Sequence, residues 1–353
     1  MTPRRAAFVV PGSINTRTGG SIYDRRMVEG LRRRGWDVDV IELGPGFPFP
    51  APAAIREATA SLGSIASKTL TIVDGLAMSV LPDAIEREAS RLSVVALVHL
   101  PVAADVGLDG KTASRLEKAE RRALAAVPLV IVTGKTTLEM LERYAGVREK
   151  AMVVEPGTDR ARPATGSGGS TVQLLSVATL NAGKGHDVLL RSLGAMPHAN
   201  WRLTCAGNYE RDARTTNHVR HMIDELGLGD RVTLAGDLDA PVLAQCYDTA
   251  DVFVLASRQE TFGMAVAEAL AHGLPVVSTM TGAIPDLVGP DAGILVPPGN
   301  TNDLTNALSR VVGDADLRAR LAAGARRVAE TLPTWDHAAA RFASALESLA
   351  IHG

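Results

Sequence analysis

The sequence predicts an α/β protein of two domains, each built around a parallel β-sheet. Short apolar runs alternate with loops and amphipathic segments along most of the chain, a pattern typical of parallel sheets with crossover helices. The pattern restarts after the small, polar run Arg162–Ser170, which we interpret as a linker. A chain of 353 residues has room for two or three domains of roughly 100–200 residues each.

In the first half, the helix Ser21–Arg34 carries Tyr23, Met27 and Leu31 on one stripe at i, i+4 and i+8. Gly35 stands where such a helix would end. Apolar runs predict six strands, and polar periodic segments predict two further helices. The strands are Ala6–Val10, Asp37–Leu43, Thr69–Val73, Val94–His99, Leu129–Val132 and Ala151–Val154, and the helices are Thr112–Val127 and Thr136–Tyr144.

The second half repeats this alternation and ends in a helical tail. Its predicted strands are Val172–Val177, Trp201–Ala206, Arg231–Leu234, Asp251–Ala256, Leu274–Ser278 and Gly293–Val296. Its predicted helices are Asp187–Met196, Thr216–Leu226, Val242–Thr249, Gly263–His272, Leu304–Val312, Ala315–Glu330 and Trp335–Leu349. We therefore predict an N-terminal domain over 1–161, a linker over 162–170, a C-terminal domain over 171–333, and a helix over 334–353 that could pack back on the N-terminal domain.

Composition excludes several classes of protein. Apolar residues make up 46% and charged residues 22%, which is too ordinary a balance for a disordered chain. A net charge of −2 disfavours a nucleic-acid partner. The sequence shows no export signal and no apolar stretch of the roughly 20 residues that span a bilayer. We expect a cytoplasmic protein with Cys205 and Cys246 as free thiols, while peripheral contact with a membrane stays open.

The strongest local signal is the polar loop SRQETFGM (Ser257–Met264) between a predicted strand and helix. Loops at the carboxyl ends of parallel strands line ligand crevices, and the free amides at a helix start suit an anion. Gly263 would let a ligand approach the backbone closely. Glu268, among small apolar residues inside the helix, needs a partner such as ribose hydroxyls. Taken alone, a glutamate of this kind is more often a solvated helix residue.

A second loop, Ser176–His186, also joins a strand to a helix. Gly183 and Gly185 bracket Lys184, an arrangement that suits a phosphate without matching the Walker pattern. By itself, such a lysine is more often part of a plain turn.

Other candidate residues have two open readings. Gly19 and Gly20 precede the first helix without a dinucleotide fingerprint, so a dehydrogenase is disfavoured, although close approach to an anionic ligand remains open. His99, at a strand end, is either a contact to a substrate hydroxyl or a structural histidine. His218 and His221 have a spacing that can share a metal, but further ligands are lacking, so we predict no metal site.

Together these segments resemble the GT-B glycosyltransferases, in particular the retaining family 4 (GT4). The resemblance is closest over Leu174–Pro298, through VATLNAGKGHDVLL, through SRQETFGMAVAEALAHGLPVVST with its Glu260 and Glu268 pair, and through GAIPDLVG followed by AGILVPPGN. TGGSIYDRRMVEGLRRRGWDVDV and VVEPGTD also resemble family segments. The resemblance implies two Rossmann-like domains that face each other across a cleft, with the acceptor in the N-terminal domain and a nucleotide sugar in the C-terminal one.

The resemblance also implies roles for individual residues. Lys184 would bind the donor diphosphate, Glu268 the ribose hydroxyls, and Glu260 the donor sugar, while His99 would approach that sugar. Lys184, Glu260 and His99 form the implied catalytic set. The other implied donor-binding residues are Gly19, Gly20, Thr179, Gly183, Gly236, Asp237, Arg258, Thr261, Phe262, Gly263 and Met264. Thr179 stands where many members have an arginine, and Arg258 is a candidate substitute; Asp286 stands where glutamate is common.

The implied reaction is the metal-independent transfer of a sugar from a UDP-, GDP- or ADP-sugar to an acceptor hydroxyl, with retention of configuration and no separate cofactor. The acceptor would be a small molecule or lipid-linked. A nucleotide-sugar epimerase or hydrolase of the same fold stays open as an alternative, as does a non-catalytic nucleotide-sugar-binding protein. The oligomeric state stays open as well.

Overall fold

The computed structural model describes residues 4–196 and 198–352. The chain forms two compact units. The first unit combines Met1–Gly157 with Pro333–Gly353, and the second consists of Thr158–Leu332.

The first unit is organised around a parallel sheet of six strands. The strands are β1 (Arg4–Val10), β2 (Trp36–Glu42), β3 (Leu70–Asp74), β4 (Ser93–Val98), β5 (Leu129–Val132) and β6 (Ala151–Val153). Their order in the sheet is β2-β1-β3-β4-β5-β6. Because β2 lies on one side of β1 and β3 on the other, the topological switch point falls between β1 and β3, where open α/β sheets bind ligands.

Helices connect these strands in the manner of repeated βα units. They are α1 (Gly19–Arg33), α2 (Pro52–Ser64), α3 (Gly75–Met78), α4 (Pro82–Glu88), α5 (Gly110–Ala125) and α6 (Lys135–Leu141). The predicted stripe of α1 is confirmed, since Tyr23, Met27 and Leu31 are all fully buried. Gly35, just beyond the end of α1, has φ of +81°, the left-handed conformation that commonly ends a helix.

The second unit contains another parallel sheet of six strands. These are β7 (Val172–Val177), β8 (Trp201–Ala206), β9 (Val232–Gly236), β10 (Val252–Leu255), β11 (Val276–Thr279) and β12 (Gly293–Val296). Their order is β12-β11-β10-β7-β8-β9. Because β8 and β10 lie on opposite sides of β7, the switch point of this sheet falls between β7 and β10.

The helices of the second unit cover its sheet. They are α7 (His186–Gly194), α8 (Ala213–Glu225), α9 (Ala240–Thr249), α10 (Met264–Ala271), α11 (Ile284–Val288), α12 (Thr301–Gly313) and α13 (Ala315–Thr331). The last helix of the chain, α14 (Trp335–His352), belongs to the first unit. It packs on α1, where a Cβ at Gly30 would overlap the Cβ of Ala339, and Phe342 stacks on Phe8 with ring centroids 6.3 Å apart.

The apolar runs predicted the strands well. All twelve predicted strands are present, with bounds that differ by at most two residues. Four helices were not predicted, namely α2, α3, α4 and α11. The longest of them, α2, buries only Ala58 and Leu62, so its sequence carries no extended apolar stripe.

The structure places the domain boundary differently from our prediction. Residues 162–170 belong to the second unit rather than to a free linker. The amide of Ala164 donates to the His272 carbonyl at 2.8 Å, and the amide of Ser167 donates to Asp251 Oδ1 at 3.0 Å. Backbone hydrogen bonds hold this segment of small residues on the second unit. The composition of a segment does not indicate such hydrogen bonds, so the sequence predicted a linker.

Within the described residues, no helix is both long and apolar enough to cross a bilayer.

Candidate functional site

Two loops of the second unit meet at its switch point. β7 and β10 are adjacent parallel strands, and each is followed by a loop that leads into a helix, α7 or α10. The amide of Arg258 in the loop after β10 donates to the carbonyl of Gly183 in the loop after β7, at 2.7 Å. Since the switch point is where ligands of such sheets bind, these two loops form the candidate site of this unit.

The loop after β7 presents Lys184 at the end of a short 3-10 turn, Ala182–Lys184. Gly185 follows with φ of +65°, in the left-handed region. A Cβ at Gly185 would also overlap the carbonyl of Ala256 at the end of β10. Only glycine meets both demands without strain, so Gly185 seats the loop on β10 and fixes the position of Lys184.

The loop after β10 is anchored by two hydroxyls of β11. Ser278 Oγ donates to the Leu255 carbonyl at 2.7 Å, and Thr279 Oγ1 donates to the Ser257 carbonyl at 2.5 Å. The loop ends at Gly263, the N-cap of α10, with φ of +93°. Helix α10 therefore begins at the same edge of the sheet as Lys184, and its N-terminal amides lie on that side.

Lys184 and Glu260 form an ion pair between the two loops. Lys184 Nζ lies 2.6 Å from Glu260 Oε1, and the same oxygen accepts a hydrogen bond from Ser257 Oγ at 2.8 Å. The side chain of Lys184 is 26% exposed and that of Glu260 is 11% exposed. Lys184 is the only lysine between residues 158 and 332. Because an ammonium has three N–H donors, Lys184 can bind a phosphate while it holds Glu260.

Arg258, the candidate substitute for the family arginine, is engaged by the protein itself. Its guanidinium donates to the two carboxylate oxygens of Asp187 at 2.8 and 2.6 Å, and to the Ala182 carbonyl at 2.9 Å. Burial acts to raise the pKa of Asp187, but the hydrogen bond and charge of Arg258 outweigh it and leave this pKa below its ordinary value. Arg258 therefore ties the two loops together in this structure, and its role as a substitute diphosphate ligand stays a prediction.

Glu268 on α10 accepts a hydrogen bond from a buried tyrosine. The hydroxyl of Tyr247 lies 3.0 Å from Glu268 Oε2, and the Tyr247 ring stacks on His272 with centroids 4.8 Å apart. Burial and the nearby Glu268 raise the pKa of Tyr247 well above its ordinary value, so the hydroxyl keeps its proton and donates. Sequence reasoning selected Glu268 but missed Tyr247, which reads as one more apolar residue of α9.

The remaining predicted donor-binding residues of this unit follow the carboxyl ends of its strands. Thr179 and Gly183 lie in the loop after β7, Thr261, Phe262 and Gly263 in the loop after β10, Met264 at the start of α10, Gly236 at the end of β9, and Asp237 just beyond it.

In the first unit, His99 follows β4 and meets two carboxylates that we did not predict. Its Nε2 lies 3.0 Å from Asp24 Oδ1 and 3.3 Å from Asp74 Oδ2. Asp24 is on α1, Asp74 ends β3, and both are buried. A signal was present for each: Asp24 follows Tyr23 on the buried side of α1, and Asp74 closes an apolar strand. We call Asp24, Asp74 and His99 the histidine cluster.

The predicted residues Gly19 and Gly20 begin α1 beside this cluster. A Cβ at Gly20 would lie 3.2 Å from Cδ2 of His99, so the absence of a side chain there leaves room for the ring. The structure thus brings together His99 and Gly20 in the first unit, and Lys184, Glu260 and the start of α10 in the second.

Comparison with known proteins finds a match to a family model within the second unit. Residues 158–328 match the family model described as glycosyl transferases group 1. The D-inositol 3-phosphate glycosyltransferase of Jonesia denitrificans is 30% identical over 231 residues, which are 60% of this chain and 54% of that protein. The chain spans about half the length of the curated relatives that it matches.

Solved structures extend the likeness to both units. Sucrose-phosphate synthase from Thermosynechococcus elongatus has a TM-score of 0.83 at 22% identity, and the match covers 99% of this chain and 100% of that one. Anabaena HepE, solved in complex with UDP-glucose, has a TM-score of 0.76 at 19% identity, with 98% and 99% covered. With its two parallel sheets, the chain has the GT-B fold, which confirms the predicted fold class.

Proposed function

We propose that this chain, whose residues 158–328 match the family model described as glycosyl transferases group 1, is a retaining glycosyltransferase. It moves a sugar from a nucleoside diphosphate sugar to an acceptor hydroxyl. The single observation that carries this proposal is the position of Lys184 at the switch point of the second sheet, paired with Glu260 in the loop that leads into α10. An ammonium and a helix N-terminus together suit a diphosphate.

The geometry supports a role in stabilising the leaving group. As the bond between the anomeric carbon and the phosphate oxygen breaks, negative charge grows on the diphosphate and positive charge on the sugar ring. Lys184 and the N-terminal amides of α10 are already in position before the reaction starts, and they offset the negative charge on the diphosphate. Glu260, held by Lys184 and Ser257, keeps a carboxylate available to the hydroxyls of the sugar.

The second half of the reaction forms the bond between the acceptor oxygen and the anomeric carbon. We propose that the acceptor attacks from the face that the phosphate leaves, and that its proton passes to the departing phosphate oxygen. Configuration is then retained without a protein nucleophile. The positive charge that the leaving group needs comes from Lys184, so the proposal includes turnover without a metal ion.

Glu268 is the proposed contact to the ribose of the donor, and Tyr247 is the residue that orients it. HepE binds UDP-glucose, which makes UDP-glucose the first donor to test, followed by GDP- and ADP-sugars. We further propose a small-molecule or lipid-linked acceptor bound by the first unit. A cytoplasmic location is consistent with Cys205 and Cys246, which are free thiols.

The proposal is tested by Lys184→Ala, with Lys118→Ala as the matched control, because Lys118 is exposed on α5 in the first unit. Donor consumption in the presence of an acceptor should fall by about 10²-fold or more in Lys184→Ala, while the control should keep wild-type turnover. Wild-type turnover in Lys184→Ala would contradict the proposal, and loss of turnover on addition of EDTA would contradict its metal-independent form.

Binding is measured separately with a thermal-shift panel of UDP, GDP and ADP on the wild-type chain. A ligand that binds only the folded protein raises the melting temperature, so one of the three should do so. If none does, the donor class is wrong. Donor turnover that is independent of every acceptor would favour the epimerase or hydrolase alternative, and tight nucleotide binding with no turnover would favour a binding protein.

A further inference from the structure

The histidine cluster has one ring nitrogen facing two buried carboxylates. Asp24 and Asp74 come from different elements, α1 and the end of β3, and their side chains are 2% and 5% exposed. Both lie within hydrogen-bonding reach of the same atom, His99 Nε2, at 3.0 and 3.3 Å. If the imidazole were neutral with its proton on Nδ1, Nε2 would be a hydrogen-bond acceptor. It would then face two buried carboxylate oxygens, which are also acceptors, and this arrangement is costly. With both carboxylates ionised, the geometry therefore places a proton on Nε2.

The rest of the ring is also held. The His99 carbonyl accepts hydrogen bonds from Thr137 Oγ1 at 2.9 Å and Thr133 Oγ1 at 3.4 Å, which fixes the backbone. Tyr23 meets the ring edge-on, with centroids 5.3 Å apart, and Gly20 lies against Cδ2. Asp74 is fixed in turn, because its Oδ1 accepts a hydrogen bond from the amide of Leu76 at the start of α3.

One edge of the ring stays accessible. The His99 side chain is 22% exposed, while Nε2 is covered by the two carboxylates and Cδ2 by Gly20. Among the described residues, Nδ1 has no hydrogen-bond partner. The exposed edge is therefore the one that carries Nδ1, at the carboxyl end of β4 and beside the switch point of the first sheet, where ligands of such sheets bind.

We propose that Asp24 and Asp74 are positioning residues that hold His99 as a fixed cation, with Nε2–H turned to the protein and Nδ1–H turned to the ligand. His99 then donates a hydrogen bond to an oxygen of the bound substrate and does not act as a general base on the acceptor. The hydrogen bond to the substrate rests on the proposed function, whereas the protonation state of the His99 ring does not.

The charges around the ring support this assignment. Burial acts to lower the pKa of His99, but the two carboxylates outweigh it and raise this pKa to about 10. Burial and Asp74 raise the pKa of Asp24, against the opposing effect of His99, to about 7. The titratable groups that face the ring are Asp24 and Tyr23 on α1 and Asp74 on β3. A raised histidine pKa keeps the proton on the ring in the neutral range, which supports a hydrogen-bond donor rather than a base at this position.

The test is an NMR titration of the full chain without donor or acceptor. Ring ¹⁵N shifts of His99, assigned by their loss in His99→Gln, should show both nitrogens protonated from pH 6 to pH 8.5. Asp24→Asn and Asp74→Asn should each lower the pKa of His99 by about 1–3 pH units. Glu120→Gln is the control, because Glu120 is a buried acid of the same unit bonded to Ser79 and Tyr144, and it should leave the His99 titration unchanged.

A wild-type His99 that titrates near pH 6.5, or that carries one ring proton at pH 7.5, overturns the proposal without any variant. A stoichiometric metal ion found in the purified chain by mass spectrometry, and displaced in Asp24→Asn, also overturns it, since a metal would take the place of the Nε2 proton. Neither outcome depends on glycosyl transfer, so failure here is separate from failure of the proposed function.

Activity supplies the second readout. In Asp24→Asn, kcat should fall as the pH rises through the lowered pKa of His99, whereas wild-type kcat should show no such limb below pH 9. A uniform loss of activity at every pH would indicate a merely structural role for Asp24 and would overturn the positioning assignment.

Discussion

The guanidinium of Arg258 forms two hydrogen bonds with the carboxylate of Asp187, across the two loops that carry the candidate site. Asp187 is the second residue of α7, and Arg258 follows β10 by three positions. The pair therefore joins the helix that follows Lys184 to the loop that contains Glu260. The distance between Lys184 and Glu260 depends on this contact as well as on their own ion pair.

We expect Asp187→Asn and Arg258→Lys each to weaken donor binding, because both remove the two-pronged contact. Each single variant should also lower the unfolding free energy. In the double variant these two losses of stability should be less than additive, with a coupling energy of about 1 kcal/mol, as for a partly exposed ion pair. Chemical denaturation and donor titration measure the two effects. If Arg258 were instead a diphosphate ligand, Asp187→Asn would leave donor affinity intact and only Arg258→Lys would reduce it.

The Arg258–Asp187 pair should also depend on pH. The pKa of Asp187 lies below its ordinary value in the folded chain, so its contribution to stability is present at neutral pH and is lost as the pH falls through the lowered pKa. The difference in unfolding free energy between wild type and Asp187→Asn should therefore shrink between pH 5 and pH 3. A difference that stays constant over this window would show that the carboxylate charge does not stabilise the fold.

Tyr247→Phe should weaken nucleotide binding by about 3–10-fold, since it removes one hydrogen bond to Glu268, worth about 1 kcal/mol. Calorimetry with the nucleoside diphosphate that stabilises the chain measures this change. Tyr144→Phe is a matched control, because the Tyr144 hydroxyl also donates to a carboxylate, Glu120, at 2.9 Å, but in the first unit. Equal affinities for wild type and Tyr247→Phe would remove Glu268 from the ribose site.

The sequence predicted the sheets because strand formation here depends on local apolar runs. The runs Val94–Val98 and Leu129–Val132 are buried on both faces of a parallel sheet, so they appear as unbroken apolar stretches. Helix α2 was missed because it fully buries only two side chains, Ala58 and Leu62. Its helical character depends on the unit that it covers, which local sequence does not record.

The candidate site was predictable where one loop carries the chemistry, and not where distant residues combine. Lys184 and Gly263 were predicted because glycines and strand ends lie close to them in the sequence. Asp187 lies 71 positions from Arg258, and Asp24 lies 75 positions from His99. Only the fold brings these residues together. A single sequence gives residue types at each strand end but no distances between strand ends, so Asp24, Asp74 and Asp187 were missed.

Gly30→Ala should destabilise the first unit, because the new methyl group would overlap the Cβ of Ala339 and push α14 away from α1. Overpacking of this kind costs about 1–3 kcal/mol, more than alanine gains over glycine inside a helix. Ala339→Gly in the same chain should restore part of the loss, measured as the melting temperature. Gly110→Ala is the control, since nothing lies within 4 Å of a Cβ at that position. Equal melting temperatures for Gly30→Ala and wild type would mean that α14 does not pack at Gly30.

His186 predicts an acid limit to the stability of the second unit. Its side chain is buried, and among the described residues neither ring nitrogen has a hydrogen-bond partner. Burial, helped by the nearby charge of Lys184, lowers the pKa of His186 to about 4. The unfolded chain therefore takes up a proton at this site below about pH 6.5, while the folded chain resists protonation until about pH 4.

The sign of the effect follows from this difference in proton uptake. The contribution of His186 to the unfolding free energy is unaffected above about pH 6.5. As the pH drops towards 4, the unfolding free energy falls by up to about 3 kcal/mol because of this residue. His186→Leu removes the titrating ring, so the difference in unfolding free energy between the two chains should change by most of that amount between pH 7 and pH 4.5. The effects of the carboxylates, which both chains share, cancel in this difference. Parallel curves for the two chains over this range would show that His186 is solvated or paired in the folded state.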